Sequence, residues 1–179
     1  MTRFYLESGA ALAALLLIGG CGGASRDSVT AAQPNGTALA SAEIPRPPAI
    51  PDEATDAQAA PLNDAGEIAS EISANTMIEE VPVNGGLAWR EDGQVVRTAS
   101  SDGQRVAYFR AGQSRPFFVQ RGGLAYAYEN GRAELAYDSQ GRPAPVPAAA
   151  QADAQRLADQ SGREHAAAAQ APAETTPAK

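Results

Sequence analysis

The chain has 179 residues, a single Cys, a single His and a formal net charge of −7. One Cys excludes an internal disulfide and a thiolate metal cluster, and the acidic balance argues against nucleic acid as a partner, because phosphate backbones need a net basic surface. Hydrophobic residues make up 44% of the chain, yet Ala alone supplies 40 residues. The large apolar side chains are therefore few, and they concentrate between residues 76 and 142, enough for one small domain.

Residues 1–20 combine a polar start carrying Arg3, an apolar run from Gly9 to Ile18 and small residues just before Cys21. This is the layout of a signal peptide, although Glu7 places an acid where positive charge is usual. The apolar run is about ten residues, short of the roughly 20 that a spanning helix needs. The segment Leu17-Ile18-Gly19-Gly20-Cys21 resembles the lipobox of bacterial lipoproteins. That resemblance implies cleavage between Gly20 and Cys21, lipid on the Cys21 sulfur and acylation of the new amine. The membrane, reached through that lipid, is then a partner. Each buried methylene contributes about 0.8 kcal/mol, so two or three acyl chains hold where one does not. Gly22-Gly23 follow the Cys with no Asp at the second mature position, which by the same resemblance implies the cell envelope and the periplasmic face of the outer membrane.

Residues 21–62 read as a disordered, acidic, Ala/Pro-rich tether, punctuated by Pro34, Pro45, Pro47, Pro48, Pro51 and Pro61. Across residues 22–75, Arg26 and Arg46 face eight acids, and such a segment self-repels and extends. About forty flexible residues have a root-mean-square reach of about 35 Å. Ile44-Pro45-Arg46-Pro47-Pro48 favours local polyproline II and reads as a stiffened spacer in preference to a ligand for proline-recognition domains. Asn35-Gly36-Thr37 has the spacing of a glycosylation acceptor and is read as chance.

Residues 63–143 carry the foldable module. Asp64 with Glu67 is a cap signal, and Ile68 and Ile72 one turn apart predict a short helix to about Asn75, too weak to stand alone. Glycine turns then recur at Gly93, Gly103, Gly112, Gly122-Gly123, Gly131 and Gly141. Asp92-Gly93, Asp102-Gly103 and Asn130-Gly131 are tight-turn dipeptides. The runs between them predict strands near residues 87–91, 94–98, 104–110, 116–121, 124–129 and 132–138. Alternation groups Val106 with Tyr108, Phe117 with Val119, Leu124 with Tyr126 and Tyr128, and Leu135 with Tyr137 on one apolar, aromatic side. The fold class is mainly β: a small antiparallel meander of about six strands, an open curved sheet or a small barrel, with one short N-terminal helix.

Residues 144–179 return to Ala, Pro and Gln. High helix propensity without an apolar stripe predicts a solvated tail, disordered or partly helical. His165 lies in that tail, where nothing fixes a partner for catalysis or metal binding.

No Walker-type loop, G-x-S-x-G elbow, H-E-x-x-H or calcium-loop spacing occurs. The chain reads as a non-enzyme with no cofactor, no metal site and no catalytic residue. The module's arginines suit phosphates or carboxylates, and its tyrosines suit an aromatic platform for sugar rings. Arg105, Arg110, Arg121, Tyr126 and Tyr128 form the candidate binding surface for an envelope protein or glycan. The competing structural use is cross-strand pairing with Glu91, Glu129, Glu134 or Asp138, about 0.2 to 1 kcal/mol each, and an aromatic sheet core.

Two further resemblances are short. Residues 127–132 and 136–142 look like the Tyr-Asp…Gly-Arg hairpins of bacterial β-repeat proteins. Ser100-Ser101-Asp102-Gly103-Gln104-Arg105 followed by Tyr108 is similar to a segment of membrane-bound lysozyme inhibitors, which are lipoproteins with a small β-barrel, though their cysteine pair is missing here. The expectation is a membrane-anchored envelope lipoprotein with a noncatalytic binding or structural β module, and the alternative is a small inhibitor or ligand-binding barrel.

Overall fold

Two of the three expected tight-turn dipeptides form two-residue hairpins, whereas Asp102-Gly103 lies in the longer loop at residues 100–104, with only its Gly at positive φ. Asp92-Gly93 and Asn130-Gly131 take φ of 48° and 77°, and 51° and 79°, the left-handed pair that a two-residue hairpin requires. The structure, a computed structural model, describes residues 44–172, all within the compact unit Gly36–Lys179. The expected signal segment, Cys21, residues 22–43 of the tether and the last residues of the tail fall outside the described residues.

In chain order the elements are α1 (Asp56–Ala74), β1 (Glu79–Val83), β2 (Gly86–Glu91), β3 (Gln94–Ala99), β4 (Arg105–Tyr108), β5 (Phe118–Arg121), β6 (Leu124–Glu129), β7 (Arg132–Tyr137), β8 (Pro143–Pro145) and α2 (Ala148–Gln170). The strands form one antiparallel meander in sequence order, with β1 and β8 at its two edges. The sheet is therefore open, and of the two arrangements expected the barrel is not the one formed.

The six expected strands correspond to β2 through β7, and the two additional ones are the edges. Both carry residues that suit an edge and hide a strand from pattern reading. β1 has Glu79, Glu80 and Pro82, and β8 is bounded by Pro143 and Pro145. A missing N–H and exposed charge are tolerated where only one side is paired, and they discourage further strand addition.

β1–β4 and β5–β8 are two copies of one four-strand unit at a constant offset. Gly85 corresponds to Gly123, Gly93 to Gly131, Ser101 to Ser139 and Gly103 to Gly141. The pairing register shifts after Trp89 in the first copy and after Ala127 in the second, at matching positions. Such bulges increase local twist. In both copies the five-residue loop between the third and fourth strands closes with the same 2.9 Å bond, from Gly103 N to Ser100 O and from Gly141 N to Asp138 O.

Helices cover both faces of the sheet. On one face α1 presents Leu62, Ala65 and Ala69 to Leu87, Trp89, Val106, Tyr108, Phe118 and Tyr137. On the other α2 presents Ala154, Leu157, Ala158 and Ala168 to Ala88, Val95, Phe109, Val119, Tyr126 and Tyr128. The aromatics thus divide between two cores, where one apolar side was expected. Phe117 and Val119 separate because Phe117 lies just before β5, outside the strand's alternation: it joins Phe118 in the α1 core, while Val119 joins the α2 core.

Helix α1 begins at Asp56, upstream of the expected start near Asp64, and Thr55 N donates to Gln58 Oε1 at 3.1 Å in its first turn. Pro61 lies inside it. The tyrosine of β7 ties this end down, with Tyr137 Oη donating to Gln58 O at 2.8 Å. The ordered chain upstream also belongs to the module: Ile44 is buried in the α1 core, and Arg97 Nη2 donates to Pro45 O at 3.3 Å. The expected tether boundary at residue 62 is therefore corrected. Residues 44–62 pack on the sheet because Ile44 and Leu62 find apolar partners there.

The expected solvated tail is corrected as well. Helix α2 is docked along its length: Gln151 Nε2 donates to Ala133 O at 2.9 Å, Tyr128 Oη to Ala154 O at 2.7 Å, and Arg90 Nη1 to Ala171 O at 2.9 Å. Arg90 also pairs with Glu79 at 2.7 Å, so a cation from the sheet satisfies the last carbonyls of the helix, where its dipole favours positive charge. The buried stripe of α2 is Ala154, Leu157, Ala158, Ser161 and Ala168. Small side chains let the helix lie close against the sheet, and the apolar area covered belongs mainly to the strands. No helix among the described residues is long and apolar enough to cross a membrane.

Candidate binding grooves

A meander places alternate connections at opposite ends of the sheet. The β1–β2 turn, the β3–β4 loop and the β5–β6 turn share one end, and α2 runs past them. Between α2 and the β5–β6 hairpin lies a groove of about 430 Å³, whose walls include Arg121, Leu124, Tyr126, Arg156, Leu157 and Arg163. A second groove of about 350 Å³ lies against the β1–β2 turn and the β3–β4 loop, with Val83, Asn84, Ser101 and Arg105 in its walls. The two share Gln160 and Arg163 of α2. They are also equivalent by the internal repeat, since Val83 and Gly86 stand where Arg121 and Leu124 stand in the second copy.

The charges of this end are partly paired. Arg105 Nη2 bonds Glu164 Oε1 in a nearly buried ion pair, while Arg105 Nε and Glu164 Oε2 have no hydrogen-bond partner. Burial pushes the Glu164 carboxyl up from its ordinary pKa, against the pull of the Arg105 guanidinium. Arg156 pairs with Asp153 on the exposed side of α2. Among the described residues neither Arg121 nor Arg163 has an ion-pair partner within 4 Å; Arg163 lies near Glu164, already paired with Arg105, and shares the first groove with Asp159. Leu124 keeps 43% of its surface exposed at the mouth.

A third cavity, about 520 Å³, opens at the other end of the sheet between α1 and the β6–β7 hairpin, with Arg110, Arg115, Tyr128, Glu129 and Glu134 in its walls. Its charges balance. Arg110 bonds Asp64 of α1 at 2.6 Å and lies over the Phe117 ring at 4.6 Å.

The five candidate binding residues therefore do not form one surface. Arg121 and Tyr126 share the first groove, Arg105 borders the second through a buried ion pair, and Arg110 and Tyr128 line the third. Tyr128 is 9% exposed and its hydroxyl is committed to α2. Burial raises its pKa, and it raises those of Tyr108 and Tyr137 to about 12. These three tyrosines pack as core. Two of the arginines, Arg110 and Arg105, pair with helix carboxylates, because Asp64 and Glu164 come over the sheet from α1 and α2. Arg142 with Asp138 at 2.7 Å and Arg132 with Glu134 at 3.6 Å pair with acids the strand reading anticipated.

Sequence reading missed Arg156, Leu157, Gln160 and Arg163, since they belong to the segment taken as a tail. Their signal was the spacing Leu157, Gln160, Glu164, which places polar groups beside a buried residue on adjacent turns. His165 likewise has a core around it: its ring lies 4.7 Å from Phe109, and burial lowers its pKa.

On the α1 face a guanidinium is buried among rings. Arg97 is 4% exposed, 4.7 Å from the Trp89 ring and 5.4 Å from that of Tyr108. Burial lowers its pKa, and Arg97 Nε and Tyr108 Oη lack hydrogen-bond partners. In the loop with the likeness to lysozyme inhibitors, Ser101, Asp102 and Gln104 are exposed at the groove end, whereas Gly103 is buried and Tyr108 fully buried. Among the described residues no group of three or more His, Cys, Asp or Glu is placed to hold a metal ion. No protein-family model, curated protein or solved structure matches this chain.

Proposed function

We propose that the protein is a lipid-anchored component of a bacterial cell envelope, acylated on Cys21 at the periplasmic face of the outer membrane, whose β module is a noncatalytic binding unit. The observation that carries the anchoring is the run Leu17-Ile18-Gly19-Gly20-Cys21 behind a short apolar stretch. The binding part rests on the paired grooves along α2, which bring Arg121, Arg163 and exposed Leu124 to one end of a sheet otherwise covered on both faces. Residues 22–43 separate the proposed acylation site from Ile44, which packs in the α1 core.

Metabolic labelling with an alkyne fatty acid, followed by membrane fractionation of wild type and Cys21→Ala, tests the anchoring. Wild type takes up label and sediments with outer membranes, and the variant does neither. Equal sedimentation of both proteins without label on either would sink the proposal.

A further inference from the structure

The two grooves along α2 differ from the third cavity in charge and in construction. Each is formed where the first hairpin of one repeat meets the same helix, and Gln160 and Arg163 belong to both. Two like compartments in tandem on one helix suit a ligand that itself repeats. Pairing Arg156 with Asp153 and Arg105 with Glu164 leaves Arg121 and the shared Arg163 against one carboxylate, Asp159, whose Oδ1 accepts from Gln155 Nε2 at 2.9 Å, so a net positive charge remains to meet an anion. That positive remainder stands out on a chain of net charge −7. Guanidinium forks take carboxylate or phosphate oxygens in two parallel bonds.

The remaining groups select further. Asn84, Ser101 and Gln160 are neutral and exposed, and they donate or accept hydrogen bonds without carrying charge. In the wall of the second groove, Arg105 is 7% exposed with Nε unpartnered, and its ion-pair partner Glu164 has Oε2 unpartnered. One is a donor and the other an acceptor, and a hydroxyl serves both. Leu124 and Tyr126 add an apolar wall in the first groove, suited to the C–H face of a sugar ring. The volumes, about 430 and 350 Å³, are those of small-ligand compartments.

We propose that the two grooves form one extended site for an acidic oligosaccharide, with its carboxylate or phosphate on Arg121 and Arg163 and its hydroxyls on Asn84, Ser101 and Gln160. This deepens the reading of the β module as a binding unit and is independent of acylation at Cys21.

The test is calorimetric titration of the full chain in mild detergent with four probes: hexagalacturonate, dextran phosphate of similar length, neutral maltohexaose and poly-L-glutamate. At least one acidic glycan binds, and which one identifies the acid as carboxylate or phosphate. Maltohexaose and poly-L-glutamate bind at least tenfold more weakly. Arg121→Ala and Arg163→Ala, both exposed and outside the cores, each weaken binding by about tenfold, while Arg132→Ala at the far end of the sheet leaves it unchanged. Unchanged melting temperatures establish that the variants fold. The proposal is overturned if no acidic glycan binds, if poly-L-glutamate binds as well as the glycans, if maltohexaose does, or if both arginine variants retain wild-type affinity. None of those results bears on fatty-acid labelling of Cys21, so the two readings fail separately.

Discussion

Replacing Leu157 with Ala tests whether α2 belongs to the fold. Leu157 is 7% exposed within the α2 core. Leu→Ala changes in cores cost about 2 to 5 kcal/mol, the larger values where the cavity cannot collapse or fill. One side of Leu157 borders the first groove, so water reaches the vacated space, and the expected cost is at the lower end, about 2.5 kcal/mol. Unfolding entropy of about 2.1 cal/mol/K per residue over about 130 ordered residues gives ~0.27 kcal/mol/K, so the melting temperature should fall by about 9 °C. Thermal unfolding by circular dichroism reads the shift, and urea unfolding with an unchanged slope establishes that stability and not compactness has changed. Leu124→Ala, from the exposed rim of the same groove, is the control and should cost well under 1 kcal/mol. If Leu157→Ala costs no more than about 0.5 kcal/mol, the value of an ordinary surface substitution, then α2 is a solvated tail and the grooves do not exist as described.

Gly141→Ala should be among the most damaging single-methyl additions in the module. Its φ is +75°, and an added Cβ would stand 2.0 Å from Ala49 O, so backbone strain adds to a clash with the segment before α1. A loss of about 3 kcal/mol, with faster proteolysis near residues 44–55, is expected in urea and limited-digestion experiments, and a cost below 1 kcal/mol would show that this segment is not seated on the β7–β8 loop. His165 gives a pH dependence. Burial lowers its folded pKa below the ordinary 6.5, so the unfolded chain binds the proton more readily and stability falls as pH drops through about 6.5. Glu164 beside it has a raised pKa and works in the opposite direction at lower pH, so the comparison is between wild type and His165→Gln. The stability difference between them should change in favour of the variant from pH 8 to pH 5. A difference that stays constant with pH would remove His165 from the core.

The turns carried most of what was legible. Asp92-Gly93 and Asn130-Gly131 allow few backbone choices, so they located the hairpins and with them β2, β3, β6 and β7. Elements escaped where a residue's usual meaning is reversed by position. Pro143 and Pro145 argue against a strand in a sheet interior and are harmless in β8, which pairs only with β7. Pro61 argued for tether, yet it sits within α1, whose burial on Trp89 and Tyr137 outweighs the lost hydrogen bond. Alanine was the largest source of error. A stripe of Ala154, Ala158 and Ala168 shows little hydrophobic contrast in sequence, and its role emerges only once Val119, Tyr126 and Phe109 are present to be covered. The repeat was readable in principle, because Gly85, Gly93 and Gly103 recur at one offset as Gly123, Gly131 and Gly141. Reading intervals between neighbouring glycines concealed it. Half of the candidate site was illegible for the same reason as α2.

The division of the two faces also bears on how an anchored module would bind. The chain enters through Ile44 and Pro45 on the α1 face, where Arg97 and Ser73 hold it at 3.3 and 3.5 Å through Pro45 O and the Arg46 guanidinium. The grooves lie on the α2 face, at the turns of β1–β2 and β5–β6. The described chain starts on the first face and the grooves lie on the second, so the proposed acylation at Cys21 is expected to leave the grooves open. Tethering would then raise the effective concentration of the site near envelope glycans without altering its intrinsic affinity. Groove affinity measured in detergent should therefore be the same for wild type and Cys21→Ala, and a difference between them would mean that the anchor segment reaches the α2 face and competes for it.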